Sequence, residues 1–142
     1  MSPLASLLWE QPQTALGALN LGVQTLARNV AALSWTRGRV MVRLRGDGAV
    51  SLGLFVFYSD RDNAVIPVGA ENIDHERGHA VQSRRLGPLY LPLVGVPSVL
   101  RVGYAVAHKL ATGRRWGGYY EGWPERQADV LGGVDRSLRP AP

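Results

Sequence analysis

Asp74-His75-Glu76-Arg77-Gly78-His79 is the stretch on which the reading of this chain turns. Histidines at i and i+4 of a helix lie one turn apart on the same face, so both imidazoles can reach a single metal ion. Zinc accepts neutral imidazole nitrogens at tetrahedral angles, and it needs one more protein ligand if a water keeps the fourth position. Glu76 neighbours His75 and is poorly placed to bind the same ion. It is placed instead to act as general base on a metal-activated water. Gly78 in mid-helix costs about 1 kcal/mol relative to alanine, so its position implies clearance for the metal or for another stretch of chain. The competing reading is a solvated helix with two surface histidines. Of the three histidines in the chain, two fall in this pattern.

The chain has no cysteine, so any metal must be held by histidine and carboxylate. The best source of a third ligand is Trp123-Pro124-Glu125-Arg126-Gln127-Ala128-Asp129. Glu125 can complete a two-His, one-Glu site. Asp129, one turn further on, can accept the second ring N–H of a ligand histidine and fix its tautomer. Against this, an acidic residue at a helix start can serve the helix dipole alone. Glu121, in a glycine-rich loop, is the alternative third ligand, and His108 stands behind it. Gln82, three residues past His79, is expected to border the cleft.

The pair His75-Glu76-Arg77-Gly78-His79 and Glu125-Arg126-Gln127-Ala128-Asp129 resembles the gluzincin branch of the zincin metallopeptidases. The nearest pattern is in those with an E-x-x-A-D second motif, such as CAAX-processing and heat-shock membrane proteases. His75 to Tyr90 is also similar to a group of short bacterial proteins sharing H-E-x-G-H-x-x-Q-S and L-G-x-L-Y. The resemblance implies a zinc metalloendopeptidase, with His75, His79 and Glu125 as ligands, Glu76 as general base and Asp129 behind a ligand histidine. It implies too that a strand beside the active helix binds an extended peptide by β-augmentation, either Ser51–Tyr58 or Val65–Val68. An oxyanion stabiliser is also implied, with Tyr119 or Tyr120 ahead of Tyr90, Tyr104 and His108.

Around these motifs the hydropathy pattern predicts an α+β chain. Leu16, Leu19, Val23, Leu26, Val30 and Leu33 recur every three or four residues and predict one long helix over 14–33, the back wall of the domain. Val40, Val42 and Leu44 alternate with polar or longer residues as in a strand. Gly46-Asp47-Gly48 then predicts a hairpin to a second strand over 51–58, and Val65–Val68 a short edge strand. Helices are expected over 70–86, 98–110 and from Pro124 to Gly132-Gly133. Thr112–Gly122 reads as an exposed loop. The sum is an α+β domain over 1–136, a small sheet with helices on one side, which the resemblance implies is a minimal zincin-like domain, and a flexible tail over 137–142.

With 142 residues, 46% hydrophobic, the chain has the material for one ordinary core. Its net charge of +5 comes from arginines scattered along the sequence, without the aromatic interleaving of a base-stacking surface. That argues against a nucleic-acid partner and leaves a peptide or protein substrate. The first ten residues lack a positive n-region and a cleavage site, which predicts a cytoplasmic protein. Leu86–Leu100 is apolar but short of the ~20 residues of a span and interrupted by three prolines. Like Gln11–Ala27, it is expected to lie against a membrane surface or to fill the core. This apolar stretch motivates the alternative to an enzyme: a catalytically silent zincin-like adaptor for a partner or membrane surface.

Overall fold

A computed structural model describes residues 2–66 and 71–138. Its helices are α1 (Pro3–Trp9), α2 (Gln13–Leu26), α3 (Asn72–Leu86), α4 (Val96–Thr112) and α5 (Glu125–Gly132). Its strands are β1 (Val30–Thr36), β2 (Arg39–Leu44), β3 (Val50–Leu52) and β4 (Phe55–Tyr58), in a mixed sheet of order β1-β2-β4-β3. The chain is therefore α+β, as its patterning predicts.

The predicted connectivity of the sheet is wrong. β1 and β2 form one antiparallel hairpin, β3 and β4 another, and the two hairpins join through parallel pairing of β2 with β4. Arg37 and Gly38, at φ 51° and 77°, make the first turn, the double positive φ that matches the twist of a tight hairpin. Gly46-Asp47-Gly48 does not close a hairpin. It begins the crossover that brings β4 alongside β2. The 51–58 segment, expected as one strand, breaks at Gly53, whose positive φ turns β3 back onto β4. Val65 and Ile66 lie in bends rather than a strand; Pro67, Val68 and the expected helix start at Ala70 fall outside the described residues.

Neighbouring residues of β2 point to opposite faces. Val42 and Leu44 join Phe57 on one face, where Leu21 of α2 packs; Met41 joins Val56 on the other, against Ala80 and Ile73 of α3. Helices thus cover both faces of the sheet, not one. The long N-terminal helix is also corrected. It ends at Leu26, and Val30 and Leu33 belong to β1. Its apolar stripe faces outward, with Leu19 67% and Leu26 87% exposed, while Gln13, Thr14 and Gly17 are buried.

The interior at this end is polar and connected. Arg39 of β2 donates to Glu10 Oε1 (2.9 Å) and to the Ala80 carbonyl (3.0 Å), and Ser83 donates to the same Glu10 oxygen (2.6 Å). This network anchors α3 to β2 and to the end of α1. α5 packs on α3 so closely that a Cβ at Gly78 would fall on the Ala128 backbone, and one at Gly132 on the Asp74 backbone. The clearance expected at Gly78 is for another helix.

α3 stops at Gly87-Pro88 as its sequence predicts, Gly87 taking a positive φ of 53°. A 3-10 turn (Gly87–Leu89) and a π-helical turn (Leu91–Gly95) then lead into α4. Pro92 and Pro97 occupy first-turn positions, where a missing N–H is tolerated. Leu91–Thr112 is consequently a continuous 22-residue helical stretch containing an 18-residue window of mean hydropathy 1.2, long and apolar enough to cross a membrane. The apolar run expected over Leu86–Leu100 thus continues in helix as far as Thr112. The chain closes with a 3-10 turn over Arg136–Leu138, and residues 139–142 of the expected tail lie outside the described residues.

Candidate metal centre

His75 and His79 are buried on the face of α3 that meets α5. Their Nε2 atoms each lie 3.0 Å from Oε2 of Glu125, at the start of α5. Asp129, one turn along α5, accepts from His75 Nδ1 at 2.7 Å. A carboxylate can only accept, so His75 Nδ1 carries a hydrogen, and in the neutral ring Nε2 presents its lone pair. The same logic fixes His79. Gln82 Nε2 donates to the Pro124 carbonyl (3.1 Å), which turns Gln82 Oε1 towards His79 Nδ1 (2.7 Å). An amide oxygen accepts, so His79 Nδ1 carries the hydrogen.

In the neutral rings, two nitrogen lone pairs and a carboxylate oxygen therefore point at one another. Such an arrangement is repulsive in a low-dielectric interior unless a proton or a metal cation joins it. The 3.0 Å separations are close to the roughly 3.3 Å between neighbouring ligands of a tetrahedral zinc with ~2.0–2.1 Å bonds. Ligand atoms of His75, Glu76 and His79 also lie within 4.8 Å of one another. This buried His-Glu-His group could hold a metal ion, and two carboxylates compete for the third place. Glu125 touches both histidines, whereas Glu76 Oε2 is buried with no hydrogen-bond partner among the described residues. Contact favours Glu125 as ligand and leaves Glu76 free for a proton.

The electrostatics agree with a site built for positive charge. Burial works to lower the pKa of His75, but its hydrogen bonds to Asp129 and Glu125 prevail and push it up to about 9. Burial works to raise Glu125, and its contacts with His75 and His79 hold it well below the usual carboxylate range. Asp129 is likewise lowered, burial being outweighed by His75 and Arg136. For Glu76 burial wins, and its pKa rises despite the two histidines. Glu125, which helps retain a proton on His75 Nε2, is the acceptor that would retain a metal, whose binding displaces that proton, while Asp129 keeps the proton on Nδ1.

Of the tyrosines, Tyr119 and Tyr120 are both buried at the site, so Thr112–Gly122 is not wholly an exposed loop. Tyr119 borders the cavity beside Glu76, while Tyr120 packs edge-on against the His75 ring. Tyr90 is buried with its hydroxyl donating to the Ser51 carbonyl, and Tyr104 is exposed. Glu121 is exposed in its loop and His108 sits on α4 beside Tyr104; neither joins the cluster, because the loop turns its two tyrosines inward and Glu121 outward.

Three contacts were out of reach of the sequence reading. Ser98 of α4 donates to Glu125 Oε1. Arg136 donates to Asp129 through Nε and Nη2 and covers the Tyr120 ring, 3.2 Å from its centroid. Gln82 was expected only to border the cleft, and it orients His79. Nothing in the local pattern marks Ser98 or Arg136, since both act across elements. No protein family, curated protein or solved structure matches the chain.

Proposed function

We propose that this chain is a zinc-dependent peptidase of the zincin type, with His75, His79 and Glu125 as the metal ligands. The observation that carries the reading is the meeting of two imidazole nitrogens and a carboxylate oxygen beside a buried, unpartnered Glu76 oxygen. Zinc, when bound, supplies a Lewis acid that polarises a carbonyl and eases ionisation of water. Glu76 takes the proton of the attacking water and delivers it to the leaving amine. The upward shift of its pKa by burial suits a base that must also act as acid. Asp129 and Gln82 hold the two imidazoles in the tautomer that keeps Nε2 free.

Tyr119, bordering the same cavity as Glu76 and Glu125, is the candidate to steady the oxyanion. β3, the edge strand, is the place for an extended peptide. β4 is paired on both sides and cannot serve. Metal analysis of the purified protein beside Glu76→Gln tests the proposal. Zinc near one per chain in both, with peptide hydrolysis only in the native sequence, is the expected result. Zinc-loaded protein inert towards diverse peptides would falsify it.

One observation favours a second reading. Along Leu91–Thr112 the residues Val96, Val99, Leu100 and Leu110 are exposed, and this face has no cover among the described residues. On that reading the domain is an adaptor that docks α4 on a lipid surface. Liposome binding unaffected by Glu76→Gln, in a protein without hydrolysis, distinguishes it.

A further inference from the structure

The cavity beside Glu76 has two unequal chambers. The larger, about 470 Å³, lies between β3 (Val50, Leu52) and the start of α4 (Val96, Val99), and reaches Glu76, His79 and Glu125 at its floor. The smaller, about 180 Å³, lies on the other side of Glu76 and is bordered by Ser59, Arg61, Asn63 and Asn72. Ala49, Glu76, Val102 and Tyr119 border both, so the carboxylate stands at the junction. The larger chamber presents mainly apolar surface above its polar floor, and the smaller has the greater share of polar groups, set among Ile66, Val102 and two tyrosines.

This asymmetry has a consequence for any chain laid across Glu76. An apolar side chain gains by leaving water for the larger chamber. A charged one would be stripped of water there without a partner, and an acidic one would also face Glu76 and Glu125. The volume falls in the range of ligand-binding cavities and exceeds what one small side chain fills.

We infer that the substrate is a peptide with a bulky aliphatic or aromatic residue on one side of the scissile bond and a small polar residue on the other, the former seated between β3 and α4. The inference rests on the peptidase reading. The reaction breaks the peptide C–N bond, adds the oxygen of water to the carbonyl carbon, and places a water proton on the amine. What the two chambers add is the choice of bond. One methylene in an apolar site is worth about 10–200-fold in kcat/KM, so a Leu-to-Asp change should exceed about 100-fold.

The test uses the zinc-loaded full chain and quenched peptides varied at each flanking position, with products assigned by mass spectrometry. Leu or Phe at one flank should surpass Asp and Lys by at least about 100-fold, with Ser or Asn preferred at the other. Val99→Asp, at a residue 70% exposed and so safe for folding, should lower cleavage of the Leu peptide at least ~10-fold and raise that of its Lys counterpart. A parallel arm measures binding of the same uncleaved peptides to Glu76→Gln by fluorescence anisotropy. Cleavage without selectivity, or with charged residues preferred at both flanks, overturns the inference and leaves the peptidase standing. Leu-selective binding with no cleavage by the native chain sinks the peptidase and keeps the chamber assignment. Unselective binding without cleavage ends both.

Discussion

Between α3 and α5, His75, His79, Glu125 and Asp129 are buried and hydrogen-bonded to one another. On the outer face of α4, Val99, Leu100 and Leu110 stand in solvent, the last 82% exposed. The usual order of polar outside and apolar inside is locally reversed in both places. Polar groups in an interior must each be matched or they destabilise, so the α3–α5 seam tolerates little change in shape or in partner. The α4 face is held by few internal contacts, and substitutions there should barely alter folding.

The largest effect should come from Gly78→Ala, which drives a methyl group into the Ala128 backbone. Overpacking against backbone should destabilise by about 3 kcal/mol or more in urea unfolding. A change under about 0.5 kcal/mol would show that the seam yields as easily as a surface. Next comes Glu125→Ala. Zinc affinity, read by competition with a chelator, should fall by more than the roughly 100-fold upper range for loss of an outer partner. Full retention of metal would move the third donor to Glu76. Gln82→Leu keeps the volume of a buried side chain but removes the acceptor for His79 Nδ1, and should weaken zinc about 10- to 100-fold. Smallest of all, Leu110→Ser should stay within about 0.5 kcal/mol of the native chain. A loss well above that would mean the α4 face is covered in solution, and a matching drop in liposome binding would name lipid as the cover.

The same contrast explains what the sequence could reveal. His75 with His79, and Glu125 with Asp129, are one helical turn apart, so their shared faces follow from spacing alone. Gly133, in the left-handed region, ends α5 where its sequence predicts. The sheet was misread because its central pairing, β2 with β4, is parallel and non-local, while Gly46-Asp47-Gly48 carries the composition of a hairpin turn without being one. The Arg37-Gly38 turn that does close a hairpin has only one glycine to advertise it. Periodicity correctly marked an apolar stripe from Leu16 to Leu26 but is silent about which way such a stripe faces; here Gln13, Thr14 and the absent side chain of Gly17 took the inner side. Ser98 and Arg136 reach the centre from separate elements, and no spacing rule links them to it.

His75 and His79 precede their acidic partners by 46 to 54 residues along the chain. At about 5–20 residues per second of synthesis, that gap keeps a nascent chain waiting roughly 2–11 s with two imidazoles and no closing carboxylate. Arg136, which braces Asp129, emerges later still. Capture of an ion by this triad would thereby wait until Glu125 has been made, and a ribosome stalled before it would yield a product without the third donor.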